Sequence, residues 1–263
     1  MDPIITQNLL SVASGGLVGF TLGLVGGGGS ILAVPLLVYV VRIGSPHLAI
    51  GTSAIAVAAS AFLNLINHAR SGHVIWGCAA VFAVAGIFGA AGGAALGKIV
   101  DGQALLGLFG LLMIGVGLSM LRKRTGGTET VTLTRANAPK LAASGLAVGA
   151  LSGFFGIGGG FLVVPGLIAA TGMGLINAIG SSLLSITAFG STTATSYALS
   201  GLIDWRIAGF FILGGAFGGL LGTWAARYLA DKRQLLNLIF ASLVITVGVW
   251  VALDAAMTVF APA

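Results

Sequence analysis

Residues 21–39 read TLGLVGGGGSILAVPLLVY, and residues 151–169 read LSGFFGIGGGFLVVPGLIA. Each is a run of glycines followed by a proline, and each lies inside an apolar segment. The surroundings set the class. Of 263 residues, 57% are hydrophobic and 7% are charged, and mean hydropathy is +1.09, which no soluble globular domain of this size matches. Residues 48–67, 74–97 and 207–226 contain no charge, and each is long enough to cross about 30 Å of hydrocarbon as a helix. The composition therefore predicts a polytopic helical membrane protein, with the lipid bilayer as its solvent.

The two glycine runs belong to a longer likeness. At an offset of 130, Gly19 meets Gly149, Gly23 meets Gly153, Gly26 meets Gly156, Gly28 meets Gly158 and Pro35 meets Pro165. At 129, AIGTS (49–53) meets AIGSS (178–182), Gly72 meets Gly201, Trp76 meets Trp205, and GIFG (86–89) meets GAFG (215–218). This is an internal repeat. The polar stretch RKRTGGTETVTLTRANAPK, residues 122–140, reads as an exposed cytoplasmic linker between copies at about 4–121 and 141–257, the whole chain 1–263 forming one transmembrane domain.

The relative orientation of the copies follows from length. Residues 9–41 carry no charge; a straight helix of that stretch would run about 50 Å, too long for one span, while two spans need about 40 residues. Proline suits the first turn of a helix, so a short helix is expected to start near Val34 and another near Pro165. Each half then begins with a glycine-broken re-entrant or discontinuous helix and continues with three transmembrane helices. Odd crossings make the halves inverted repeats. With both termini outside the cytoplasm, Arg70, Arg122, Lys123, Arg124, Arg135, Lys140, Arg227, Lys232 and Arg233 fall inside and Arg42, Lys98 and Arg206 outside. That is nine against three, where single crossings of the broken segments give seven against five, so the positive-inside rule favours inversion.

A glycine run at membrane depth leaves amides unpaired, which hydrocarbon does not tolerate unless they are buried in protein or line a wet cavity. Two short helices that start there aim free N–H groups and positive dipole ends at that cavity. Facing N-termini at the midplane form an anion site, the arrangement of secondary transporters with discontinuous helices. The substrate-binding candidates are Gly27, Gly28, Gly29 and Ser30 with Gly158, Gly159 and Gly160. To these the next span adds the hydroxyls Thr52, Ser53, Ser181 and Ser182 and, further along, Asn64 and Thr193.

Other features carry plainer readings. Gly15, Gly19 and Gly23, like Gly89, Gly93 and Gly97, recur every four residues as close helix contacts require. Asp101, Asp204, Asp231 and Asp254 fall near expected span ends, away from any intramembrane proton relay. Trp76 and Trp205 fit an aromatic belt, and His68, Arg70 and His73 a solvated span end. GGAALGK (92–98) has phosphate-loop spacing, but Ile99 stands where Ser or Thr is required. The lone Cys78 permits neither an intrachain disulfide nor a cysteine-based metal site. No catalytic residue, metal or cofactor is expected, and the formal charge of +6 is explained by topology and not by nucleic acid. MDPIITQNLL has Asp2 where a cleaved signal peptide has basic residues, so the N-terminus is expected to be mature protein.

The paired signatures GGGGSILAVP and GIGGGFLVVP, followed by AIGTS or AIGSS and then by a glycine before HVIW or LIDW, resemble the TauE/SafE family of sulfite and organosulfonate exporters, over nearly the whole chain. The resemblance implies a bacterial cytoplasmic-membrane exporter of sulfite, sulfoacetate or a related anion. A passive anion channel, or a transporter of another small organic anion, is the alternative. The partners expected are thus a small anionic substrate and lipid. A homo-oligomer is compatible with the chain.

Overall fold

The computed structural model describes residues 3–25, 27–121, 131–228 and 233–260. Its helices are α1 (Pro3–Val25), a 3₁₀ segment (Gly27–Leu32), the single turn α2 (Ala33–Pro35), a π segment (Leu36–Val40), α3 (Pro46–Arg70), α4 (Trp76–Ile99) and α5 (Gly102–Leu121). They continue with α6 (Ala138–Phe155), α7 (Gly160–Thr171), α8 (Leu175–Ala198), α9 (Trp205–Tyr228) and α10 (Arg233–Phe260). Among the described residues eight helices are long and apolar enough to cross a membrane, and two shorter apolar ones, Gly28–Val40 and Gly160–Thr171, follow α1 and α6. The chain is an all-α polytopic membrane protein. Residues 131–136 of the expected linker are largely exposed; Arg122, Lys123, Arg124, Asp231 and Lys232 lie outside the described residues.

Polar side chains near the span ends cap helices. Pro46 opens α3 and Ser45 Oγ accepts from the Leu48 amide, an N-cap with proline in the first turn. Asp101 accepts from the amides of Gln103 and Ala104 at the start of α5, and Asp204 from that of Ile207 in α9. Both carboxylates face the positive end of a helix dipole.

Glycine stripes bring the long helices together. Gly15, Gly19 and Gly23 of α1 lie against the backbone at Phe211, Gly215 and Gly219 of α9, where any added Cβ would overlap. Partner numbers rise together, so α1 and α9 run parallel. Likewise Gly145, Gly149 and Gly153 of α6 rest on Phe82, Gly86 and Ala90 of α4. Without a hydrophobic drive in lipid, such close backbone approach supplies the dispersion contact that holds helices together. The other two pairs run antiparallel. Gly51 of α3 faces Tyr197 of α8 while Gly190 of α8 faces Ala54 and Ala58, and Gly107, Gly110 and Gly117 of α5 face Ala255, Ala252 and Ile245 of α10.

The chain between α1 and α3 turns back. Gln7 Nε2 donates to Val41 O at 3.2 Å, which sets the end of the short return level with the beginning of α1. Arg206, at the start of α9, joins the same end by donating to Gln7 and Asn8. The Tyr39 hydroxyl donates to Asp254 at 3.0 Å, and its ring packs 4.2 Å from Trp250, both on α10.

One expectation needs correction. Neither short helix begins at its proline. α7 starts at Gly160 and holds Pro165 in its interior, and in the first half the chain is already wound from Gly27. In the second half Gly158 and Gly159, at φ +66° and +72°, reverse the chain and helical winding begins at once. Proline then removes one amide in the second turn, which a helix buried among others tolerates. In the first half winding changes from 3₁₀ through α to π across Pro35, as expected where a hydrogen-bond ladder loses a donor.

Candidate anion-binding site

The two glycine breaks use different backbone solutions. In the second half the chain leaves α6 through Gly156 in the left-handed conformation, passes Ile157, and takes two further left-handed residues before α7. The break is placed at the middle of the molecule: a Cβ on Gly158 would stand 2.9 Å from Val57 Cγ1 and 3.4 Å from Ile186 Cγ2, and these residues lie at the centres of α3 and α8. In the first half Gly29 is buried in the 3₁₀ segment with its missing side chain directed at the backbone of Thr21 and Leu22. The left-handed turn needs glycine for conformation; the 3₁₀ turn needs it for space.

The broken segments pack against each other, and α8 packs against both. At the start of α7 the amides of Leu162 and Val163 both donate to Gly159 O at 2.9 Å, leaving those of Gly160 and Phe161 without an acceptor in the helix. Among the described residues the buried polar side chains around the breaks are small hydroxyls: Ser30, Thr52, Ser53, Ser152, Ser181, Ser182 and Ser185 are all 0% exposed. Positive potential here comes from backbone amides and helix ends.

The hydroxyls have distinct jobs. Thr52 Oγ1 accepts from the Asp204 amide at 3.0 Å, and Ser181 Oγ from the Ile75 amide at 2.9 Å. These matched bonds let each central helix hold the start of a helix from the other half. Ser53 Oγ is shared between Ile50 O (2.9 Å) and Gly156 O (3.2 Å), tying α3 to the opposite break. Ser182 Oγ donates to Ile179 O at 2.7 Å. Asn64 and Thr193 do not join this group: each lies 11 residues, about 16 Å, along its helix from Ser53 or Ser182, and the antiparallel helices carry them to opposite ends. Asn64 is half-buried and donates to Ser60 O. Among the described residues the buried hydroxyls of Thr193, Ser152, Ser185 and Tyr197 have no partner.

A centre lined by amides and neutral hydroxyls suits a small anion, and the bonds of Thr52 and Ser181 to the opposite half's helix starts occur as a matched pair. The sulfite exporter TauE/SafE family profile matches residues 11–251. The chain belongs to the TauE/SafE family. Relatives agree with it: a "Probable membrane transporter protein" of Xylella fastidiosa strain 9a5c is 54% identical over 92% of this chain and 94% of its own length. The "Probable membrane transporter protein YunE" of Bacillus subtilis is 28% identical over 82% and 88%, and a "Probable membrane transporter protein" of Haemophilus influenzae 28% over 73% and 74%. No solved structure matches the chain.

In this TauE/SafE member the glycine-proline signature marks the breaks, and AIGTS and AIGSS mark the serine-bearing turns of α3 and α8. Ser152 and Ser185 escape such a reading. At the same offsets the first copy has Leu22 and Ala56, so a search for repeated features passes over them. Their signal is polarity against the repeat: a hydroxyl in one copy where the other is apolar.

Proposed function

We propose that this TauE/SafE membrane transporter is a secondary transporter that exports a small sulfur-containing oxyanion, sulfite or an organosulfonate, across the bacterial cytoplasmic membrane. The observation that carries the reading is the second-half break, set against the midpoints of α3 and α8 with unpaired amides and buried hydroxyls around it. Three oxyanion oxygens could accept from such donors, and neutral donors keep the anion exchangeable in a way that a buried lysine or arginine would not.

Alternating access follows from the halves' relation. α3 and α8 correspond in the repeat and run antiparallel, as do α5 and α10, which supports a pseudo-two-fold axis perpendicular to the helices and hence inverted repeats. Exchanging the conformations of two such halves opens the centre first to one side and then to the other. The sidedness rests on charge. Arg42, Lys98 and Arg206 share one end with the start of α1: Lys98 meets Ser196 and Ser200 at the end of α8, and Arg206 meets Gln7. Arg70, Arg135 and Lys140 take the other end, the cytoplasmic side on this reading.

Flux in proteoliposomes tests it, with labelled sulfite, sulfoacetate and taurine, and acetate as control. Saturable uptake with counterflow is the expected result. Unsaturable currents far above transporter turnover would establish the channel reading instead, and flux of acetate alone would move the substrate class to carboxylates.

A further inference from the structure

Hydroxyls in these spans usually satisfy themselves. Thr21, Ser53, Ser182, Thr187, Thr192 and Thr223 each donate to a carbonyl three or four residues earlier, as Ser and Thr in membrane helices commonly do. Ser152 does not. It is 0% exposed, its Oγ has no partner among the described residues, and its own carbonyl takes the amides of Gly156 and Ile157. The side chain is directed at the turn that opens α7: a Cβ on Gly159 would stand 2.9 Å from both Cβ and Oγ of Ser152. A buried donor without an acceptor is costly. Here it lies beside the free amides of Gly160 and Phe161, at the positive end of a twelve-residue helix.

Ser185 repeats the pattern at the same depth. It is buried, its Oγ is unpartnered, and it directly precedes Ile186, whose side chain lies against Gly158. Among the described residues of the first half no buried hydroxyl is left unpartnered, and Leu22 and Ala56 hold the matching positions. We infer that the substrate oxyanion is bound asymmetrically, at the second-half break, with Ser152 and Ser185 donating to it beside the α7 amides, while the first-half 3₁₀ turn supplies packing. This rests on the anion-transport reading above and says where in the two-fold frame the charge is held. The ligand class is a compact oxyanion with oxygens free to accept from several neutral donors; sulfite is the probe.

Thermal unfolding of the purified full chain in nanodiscs, with sodium sulfite titrated against sodium chloride at equal ionic strength, reads both fold and binding. Ser152→Ala should leave unliganded melting unchanged or raised, because the lost hydroxyl had no partner, while the half-saturating sulfite concentration rises at least tenfold. Adding Ser185→Ala should abolish the sulfite-induced shift. Ser11→Ala, whose hydroxyl bonds Gln7 O within α1, should bind sulfite as wild type does. Wild-type sulfite affinity in Ser152→Ala overturns the inference and leaves the transport reading standing, and lowered unliganded melting overturns it in favour of a structural role. If sulfite, sulfoacetate and taurine all fail to shift wild-type melting, both readings fall together.

Discussion

Gly159 carries two constraints in one residue, a φ of +72° and a neighbour, Ser152, within 3 Å of any added carbon. An L-residue there costs about 1–2 kcal/mol for its backbone alone, and the methyl must also displace Ser152. Gly159→Ala should therefore lower the melting temperature and reduce sulfite flux together. At Gly201, φ +68° with open space around it, Asn should be accepted with little change, since Asn tolerates the left-handed region. Thr52 tests the other kind of hydroxyl. Thr52→Val keeps shape but leaves the Asp204 amide without its acceptor, which should destabilise by about 1–3 kcal/mol. Thr52→Ser should restore it, and thermal unfolding separates the two. Thr52 and Ser181 show the limit of sequence reading at this scale: they were legible as polar groups in the right turn, but that they accept from the other half's helix starts required the halves to be docked.

Helices here are matched through backbone contact more than through interlocking side chains. The α1–α9 and α4–α6 pairs each repeat small residues every four positions, and that period was plain in the sequence because parallel packing at close range admits nothing larger. Gly19→Leu should force α1 from α9 and lose most folded protein on size exclusion in detergent. Gly92→Leu, at an exposed position with nothing within 4 Å, should elute and melt as wild type does. What the spacing could not reveal is the partner. Nothing in α1 names α9, six long helices later in the chain, and the exchange of partners between halves is a consequence of docking. The breaks show the same division. Both were legible as breaks, yet one is a left-handed reversal and the other a 3₁₀ winding, because the second copy has Ile157 and Gly158 spaced to allow three left-handed glycines while the first is stacked against its own α1 at Gly29.

On the scale of the whole molecule, the equivalent helices of the pairs α3–α8 and α5–α10 run antiparallel, and the start of α1 and the end of α10 reach the same side through Gln7 and Val41, and Tyr39 and Asp254. A reporter fused after Ala263 should therefore report the same compartment as one fused before Met1, and on the proposed sidedness that compartment is external. Cytoplasmic activity of the C-terminal fusion alone would contradict the proposed inversion. Transport then follows if the halves exchange shape about a centre that neither half could bury alone.

Composition and periodicity by themselves determined that this chain lives in a bilayer, that it is built twice, and that each copy is broken at its glycines, because hydrocarbon admits only satisfied backbone and the exceptions must be written in residues that permit them. Tertiary structure alone decided which hydroxyls are already engaged and which are left over. A serine's bonding depends on the carbonyls that packing brings within about 3 Å, and those belong to helices far away in the sequence.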